Sequence, residues 1–165
     1  MPALEAGTQA PPIELPTVSG RTWSLADARK RGAVVLAFFK INCPICQETF
    51  PYLERIHRAY PNEKAQFVGV SQDPKRDTEA FLKEYGVSFT TVLDDTRTYP
   101  VSNAYGLTNV PTIFVISEDG EIELASVGWY KKDIETLNLK MAQVAQMPWQ
   151  PAFRPGEEVQ EFRPG

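Results

Sequence analysis

Two cysteines, Cys43 and Cys46, are the only thiols in this sequence of 165 residues. They are separated by Pro44 and Ile45, and they follow the apolar run 33–39, whose β-branched and aromatic residues predict a buried strand. A helix that begins after this strand would place Cys43 at its N-terminus, where unpaired backbone N–H groups and the helix dipole favour a thiolate. Pro44 suits the first turn of such a helix because its fixed φ is helical and it lacks an N–H group. Cys43 is therefore the candidate nucleophile.

The second cysteine lies one helical turn after the first, so the two side chains share a face of the predicted helix. At this spacing Cys43 and Cys46 can close a disulfide. Such a dithiol exchanges disulfides through a mixed-disulfide intermediate, in which Cys43 attacks and Cys46 resolves. We predict that the pair is a catalytic redox couple.

Other uses of the cysteine pair remain open. A structural disulfide that closes so short a loop would restrict the unfolded chain little and stabilise the fold little. A zinc site normally has four ligands, and His57 is the one histidine that could join the cysteines. A copper-carrying binding module is the non-enzymatic alternative, since copper(I) suits soft thiolates, but no methionine or histidine lies close in sequence to complete such a site. We predict neither a metal nor a cofactor.

Composition and charge argue against two further classes of function. The net charge is −4, the isoelectric point is near 5.1, and no run of lysine or arginine occurs, which argues against nucleic-acid binding. The longest apolar stretch, 33–39, is far too short to cross a bilayer. Residues 1–7 lack the basic and apolar segments of a secretory signal, so we expect a cytoplasmic protein. An extracytoplasmic location is the alternative, if a signal or anchor has been removed.

Apolar periodicity and turn signals predict alternating helices and strands along the chain. Residues 13–15 and 22–25 flank a turn and predict an N-terminal hairpin. Further strands are predicted at 33–39, 66–71, 90–93, 112–117 and 122–127, and helices at 26–31, 44–60, 77–85, 100–105 and 131–146. The last two strands are joined by Asp119-Gly120, a strong hairpin signal. This order predicts an α/β fold with a central mixed β-sheet flanked by helices.

The sequence changes character near residue 147. Residues 148–165 are rich in proline, contain Phe-Arg-Pro-Gly twice and show no helix or strand periodicity. A composition of this kind is typical of disordered segments. We therefore predict one folded domain over residues 1–147 and a disordered C-terminal tail over residues 148–165, in which Trp149, Phe153 and Phe162 are the residues able to dock on a surface.

Three features together resemble the thioredoxin superfamily: the strand at 34–39, the Cys-x-x-Cys motif that follows it, and Val110-Pro111-Thr112 before a hairpin. Over residues 7–146 the chain is similar to the TlpA/ResA-like thiol-disulfide oxidoreductases, which are grouped with redoxin and alkyl-hydroperoxide-reductase-like domains. The resemblance implies a thioredoxin-like fold with an N-terminal hairpin extension. It also implies an enzyme that acts on protein disulfide substrates and is restored by a reductase partner.

The same resemblance assigns residues that bind the substrate. Pro111 is expected to be cis and to face the dithiol, while Val110 is expected to offer backbone groups to the substrate chain. Pro44 and Ile45, between the two cysteines, are expected to contact the substrate as well. A cis X–Pro bond is a rigid turn that can hold a loop against the dithiol.

The sequence departs from the family pattern where carboxylates are expected. Ala37 stands six residues before the first cysteine, where thioredoxins carry a buried acid. Thr49 stands three residues after Cys46, where ResA-like proteins carry a glutamate, and Glu48 is one residue early. A one-residue shift rotates a helical side chain by about 100°, so Glu48 is expected to face solvent.

A peroxiredoxin-like thiol peroxidase is the closest enzymatic alternative. Peroxiredoxins place proline seven residues, and threonine or serine three residues, before the peroxidatic cysteine. Leu36 and Lys40 stand at those positions before Cys43, so the peroxidase motif is absent. Thiol-disulfide exchange therefore remains the predicted function.

Lys40 lies three residues before Cys43. It would favour the Cys43 thiolate if its ammonium group reached the site.

Overall fold

The apolar run Ala33–Phe39 forms β3, the central strand of a five-stranded sheet, in a computed structural model that describes residues 2–165. All seven residues of β3 are buried, because both faces of the sheet are covered. The other elements, in chain order, are β1 Glu14–Pro16, β2 Thr22–Ser24, α1 Leu25–Arg29, α2 Pro44–Ala59, β4 Ala65–Ser71, α3 Lys75–Glu84, β5 Thr90–Leu93, α4 Pro100–Ala104, β6 Thr112–Ile116, β7 Ile122–Val127, β8 Trp129–Tyr130, α5 Lys131–Ala145 and β9 Phe162–Arg163.

The central sheet has the strand order β5-β4-β3-β6-β7. Strands β3, β4 and β5 are parallel, whereas β6 is antiparallel to β3 and β7 is antiparallel to β6. The sheet is therefore mixed, and the prediction of an α/β fold with a central mixed sheet is confirmed. The bounds of these five strands match the predicted ones to within one residue.

Successive residues of β3 point into two separate cores, one on each side of the sheet. Phe39 contacts Phe50 of α2, with the ring centres 4.4 Å apart. Phe38 points the other way and contacts Tyr105, with the ring centres 5.4 Å apart. Helix α2, which begins directly after the cysteine at position 43, is thus anchored to the end of the central strand.

The predicted N-terminal hairpin is present as β1 and β2, which pair with Leu15 opposite Trp23. Both side chains are buried in the core on the side of the sheet away from α2. The hairpin also reaches the sheet edge, where Thr17 forms a bridge with Val92 of β5. Within residues 2–165 no helix has the length and apolar character needed to cross a membrane.

Residues 148–165 differ from the predicted disordered tail, because they pack along α2 and β8. Ala152 is buried, and the Phe153 ring contacts the rings of Tyr52 and Trp129 at 5.4 and 6.1 Å between centres. The Trp129 indole nitrogen donates a 2.6 Å hydrogen bond to the carbonyl oxygen of Gln160. Composition alone missed this packing, because the partners of the segment are aromatic residues of other elements.

Polar contacts and a short strand pair complete the docking of this segment. Arg55 of α2 forms two hydrogen bonds with the Glu157 carboxylate, at 2.8 and 2.9 Å. Strand β9 pairs antiparallel with β8, and neither of these two short strands was predicted from the sequence. Trp149, in contrast, remains 58% exposed. The segment is therefore tied to the folded domain by long-range contacts rather than by its own periodicity.

Candidate active site

Helix α2 begins as the sequence predicts, with Cys43 as its N-cap residue and Pro44 at the first helical position. Cys43 has an extended backbone (φ −91°, ψ 112°), and its Sγ atom accepts a 3.2 Å hydrogen bond from the backbone N–H of Cys46. Its carbonyl oxygen accepts a 3.0 Å hydrogen bond from the backbone N–H of Gln47. The sulfur of Cys43 thus occupies the position at which a helix N-terminus binds an acceptor.

The two cysteines differ in accessibility. Both are free thiols in this structure; Cys43 is half-buried, whereas Cys46 is completely buried among core residues of α2. An external disulfide can therefore reach Cys43 but not Cys46. Accessibility therefore distinguishes the two sulfurs.

The two cysteines also differ in acidity. Hydrogen bonding from the Cys46 thiol is the largest influence on the Cys43 thiol and lowers its pKa from 9.0 to about 6, against an opposing effect of burial. Backbone N–H groups of Cys46 and Ile45 lower this pKa further, and the charge of Lys40 adds a smaller effect in the same direction. Burial, followed by the hydrogen bond to Cys43, raises the pKa of the Cys46 thiol. At neutral pH the thiolate therefore resides on Cys43.

The peptide bond between Val110 and Pro111 is cis, and it faces the dithiol. The carbonyl oxygen of Val110 lies 3.5 Å from the Cys43 Sγ atom, within reach of a hydrogen bond from the protonated thiol. Pro111 is buried, and its carbonyl oxygen accepts a 2.8 Å hydrogen bond from the backbone N–H of Gly128. The loop enters β6 at Thr112, which is paired with Phe38 near the end of β3. Neighbouring strands thus bring the loop and the cysteines together.

The residues predicted between the cysteines occupy different surroundings. Pro44 is exposed next to Cys43, whereas Ile45 is buried in the core. A surface pocket beside Cys43 is lined by Lys40, Cys43, Gln72, Leu107, Thr108, Asn109, Val110 and Gly165. Of the predicted binding residues, Pro44 and Val110 are therefore the ones that reach the surface beside Cys43.

Two residues at the end of β4, Gln72 and Asp73, belong to the site although the sequence reasoning missed them. The Asp73 carboxylate accepts a 2.8 Å hydrogen bond from the backbone N–H of Ile41, whose carbonyl oxygen accepts one of 2.9 Å from the Gln47 side chain. These bonds fix the loop that leads into Cys43. The carboxyl ends of adjacent parallel strands meet at one edge of a sheet, and that rule could have found both residues.

The positions where carboxylates were expected hold no acid. Ala37 is buried in β3, and Thr49 is buried in α2, where its hydroxyl donates a 2.7 Å hydrogen bond to the carbonyl oxygen of Ile45. Glu48 faces solvent as predicted, and it forms an ion pair with Arg163. His57 packs between Phe67 and Phe89 rather than at the cysteines.

No group of three or more histidine, cysteine or acidic side chains is placed to hold a metal ion in the part of the chain that the structure describes.

A dithiol at the start of a helix, packed against a cis-proline loop on this mixed sheet, defines a thioredoxin-like protein. The AhpC/TSA family matches residues 6–125. The chain therefore belongs to the AhpC/TSA family.

Named relatives support the same class. The thiol-disulfide oxidoreductase ResA of Geobacillus kaustophilus is 32% identical over 135 residues, which cover 81% of this chain and 76% of that protein. The ResA of Geobacillus thermodenitrificans is 31% identical over 132 residues, which cover 79% of this chain and 74% of that protein. A crystal structure of a putative thiol:disulfide interchange protein DsbE from Chlorobium tepidum is 28% identical, with a TM-score of 0.75, and the match covers 87% of this chain and 99% of that one. The predictions of a thioredoxin-like fold and of an oxidoreductase are confirmed.

Proposed function

We propose that this protein exchanges disulfides with protein substrates, with Cys43 as the nucleophile and Cys46 as the resolving thiol. The observation that carries the proposal is the asymmetry of the two sulfurs. One is half-buried with a pKa lowered to about 6, and the other is completely buried with a raised pKa. The ResA relatives are named thiol-disulfide oxidoreductases, which supports the same reaction.

In the first step the Cys43 thiolate attacks one sulfur of a substrate disulfide. The substrate S–S bond breaks, its second sulfur leaves as a thiolate that takes up a proton, and a mixed disulfide joins the substrate to Cys43. Backbone N–H groups at the start of α2 stabilise the thiolate before the attack. Cys43 is half-exposed next to Val110, so its sulfur is the one that a substrate disulfide can reach.

In the second step Cys46 loses its proton and attacks the Cys43 sulfur, which releases the second substrate thiol and forms the Cys43–Cys46 disulfide. The hydrogen bond and negative charge of Cys43 both contribute to the raised pKa of Cys46. The mixed disulfide removes that charge, so deprotonation of Cys46 becomes easier once the substrate is attached. Two electrons pass to the substrate in total, and the reverse sequence oxidises it.

A reductase partner is proposed to restore the dithiol by the same exchange chemistry. The half-exposed Cys43 is again the sulfur that this partner would reach, because Cys46 is buried. A cytoplasmic location is proposed, because a reducing compartment keeps such a dithiol reduced. The alternative is an extracytoplasmic location, where the reductase partner would have to deliver electrons in an oxidising compartment.

Trapping of the mixed disulfide tests the assignment of roles. The Cys46→Ser variant replaces the resolving thiol with a hydroxyl group, which cannot attack the mixed disulfide. The complex with a disulfide-containing protein such as insulin should therefore accumulate at Cys43. Mass spectrometry of the complex under non-reducing conditions identifies the attached cysteine. Cys43→Ser is the matched variant and should trap nothing, because its remaining thiol is buried. Equal trapping by both variants, or by neither, would contradict the proposal.

A further inference from the structure

The last four described residues, 162–165, run beside the loop that faces the dithiol, and we call them the C-terminal strap. Within the strap, β9 pairs with β8 so that Arg163 lies opposite Trp129. The side chain of Asn109 donates a 3.3 Å hydrogen bond to the carbonyl oxygen of Gly165. The strap therefore extends from β8 to the residue immediately before Val110.

Two glycines allow the strap to approach the loop this closely. A Cβ atom at Gly128, whose φ is +82°, would lie 2.7 Å from the carbonyl oxygen of Arg163. A Cβ atom at Gly165 would lie 2.5 Å from the carbonyl oxygen of Val110. Both distances are shorter than any normal contact of a side chain. Backbone therefore packs directly on backbone at the edge of the active site.

The strap is also joined to the helix that carries the dithiol. Arg163 forms an ion pair with Glu48 in the second turn of α2. Gly165 lines the same surface pocket as Cys43 and Val110. The strap thus connects both sides of the site, the start of α2 and the cis-proline loop, and it forms one wall of the pocket through which Cys43 is reached.

The position of this wall bears differently on large and small substrates. The Cys43 Sγ atom lies 3.5 Å from the carbonyl oxygen of Val110, so a polypeptide whose disulfide is attacked there must pass close to Val110. Gly165 already lies against that carbonyl group. A polypeptide carries backbone on both sides of its cystine, whereas a small disulfide does not.

We propose that the C-terminal strap determines substrate specificity by restricting access of polypeptide disulfides to Cys43 while leaving small disulfides free to react. This inference rests on the proposed function and adds a selection step to it. A protein substrate reacts when the strap has moved off Val110, and a small disulfide reacts with the strap in place. The strap therefore favours protein substrates whose exposed, extended cystine segments can displace it.

The contacts that hold the strap are suited to such movement. Phe162 is 48% exposed, and its ring contacts Tyr130, which is itself 42% exposed. The Arg163 and Glu48 side chains are 33% and 54% exposed. Contacts this accessible to water stabilise a segment weakly, so the strap can leave the loop while the cores remain folded.

Charge reversal in the full chain tests the proposal. Arg163→Glu places two acids side by side and should release the strap, and adding Glu48→Arg in the same chain restores an opposite-charge pair. Lys140→Glu is the matched control, because it makes the same change of net charge at another exposed ion pair, with Glu123. Each protein is first reduced. The rate at which Cys43 and Cys46 lose their free thiols is then measured with insulin and, separately, with hydroxyethyl disulfide as the oxidant.

The expected result is a change in the ratio of the two rates. Arg163→Glu should raise the rate with insulin about two- to fivefold, the range that loss of one exposed ion pair allows. The rate with hydroxyethyl disulfide should stay the same, the double variant should return to the original ratio, and Lys140→Glu should keep it. An unchanged or reduced rate with insulin, an equal rise with both oxidants, or no return in the double variant would overturn the inference. Failure of the proposed function looks different, because the dithiol of the unaltered protein would then not be oxidised by insulin at all.

Discussion

The start of α2 and the C-terminal segment meet at the same pocket but are built in different ways. At the start of α2, the N-cap, the first-turn proline and the two sulfurs all lie within residues 43–47 and interact with one another. The C-terminal segment is held by partners far away in sequence, such as Arg55, which is 102 residues before Glu157. The main influences on the reactivity of Cys43 are thus neighbours in sequence, whereas the contacts that hold the segment beside the pocket come from distant residues.

This difference implies that reactivity and access can be changed separately. The lowered pKa of Cys43 arises from the Cys46 thiol, nearby backbone N–H groups and Lys40, none of which belongs to residues 148–165. The aromatic and ionic contacts of the segment involve Tyr52, Trp129 and Arg55 instead. Variants in residues 148–165 should therefore leave the pKa of Cys43 unchanged, and variants at the start of α2 should leave the docking of residues 148–165 unchanged.

The largest expected difference is between the alkylation rates of the two cysteines. With its pKa lowered to about 6, Cys43 should react with iodoacetamide in a pH profile whose midpoint is near that value. At pH 7 its rate should exceed that of the buried Cys46 by a factor on the order of 100 or more. Mass spectrometry of each cysteine between pH 5 and about 9 measures both profiles. Comparable labelling of the two thiols, or a midpoint near that of an ordinary cysteine, would refute the assigned asymmetry.

The sequence predictions succeeded where residues close in sequence determine the structure and failed where distant contacts do. The strand before Cys43 and the helix that begins at Pro44 were predicted from short stretches of sequence, and the position of Pro111 was predicted from the family resemblance. Asp73 was missed, because its contact with Ile41 depends on two strands lying side by side.

The C-terminal segment was missed for a related reason. Rules for disorder count the residues within a segment, and they take no account of the tryptophan and arginine elsewhere in the chain that hold it. Trp129 and Arg55 supply the aromatic surface and the charge that residues 148–165 lack. Even the short strand β9 exists only because β8 provides its hydrogen-bonding partner.

A comparison of two tryptophans measures how much of the stability of the fold depends on the docking of residues 148–165. Trp129 is 5% exposed and contacts Tyr52 and Phe153, so Trp129→Ala should lower the free energy of unfolding by about 3 kcal/mol. Trp149 is 58% exposed, and Trp149→Ala should change it by no more than about 0.5 kcal/mol. Urea denaturation of both variants measures the two values. Similar small losses for both would mean that the segment is not docked on β8 in solution.

The Glu157 carboxylate offers a smaller, pH-dependent measure of the same docking. The hydrogen bonds from Arg55, followed by the backbone N–H of Arg154, lower the pKa of this carboxyl group from 4.5 to about 2. A lowered pKa in the folded state adds stability that is fully present above 4.5 and is lost as the pH falls towards 2. Glu157→Gln should therefore cost about 1 kcal/mol at neutral pH, and progressively less as the solution is acidified.

Glu158→Gln, at the adjacent exposed acid, is the matched control and should have little effect at any pH. The alkylation midpoint of Cys43 should stay the same in both variants, because Arg55 and Glu157 do not contribute to its pKa. A shift of that midpoint in Glu157→Gln would show that access and reactivity are coupled, and the separation of the two regions would fail.

The smallest expected effect concerns Asp73, which supports the loop before Cys43. Its negative charge is one of the lesser influences that raise the pKa of Cys46, and its carboxylate accepts the hydrogen bond from Ile41. Asp73→Asn keeps an oxygen acceptor for that bond but removes the charge. Deprotonation of Cys46 should become easier, so the attack of Cys46 on a mixed disulfide at Cys43 should be faster by a factor of about two to three.

The release of thionitrobenzoate from a mixed disulfide formed at Cys43 measures this second step directly. Asp77→Asn, at an exposed acid in the first turn of α3, removes the same charge without touching the loop and should leave the rate unchanged. A slower step in Asp73→Asn would mean that the contact with Ile41 matters through the geometry of the loop rather than through charge. In that case the reactivity of the dithiol would depend on the geometry of a long-range hydrogen bond rather than on the charge of Asp73.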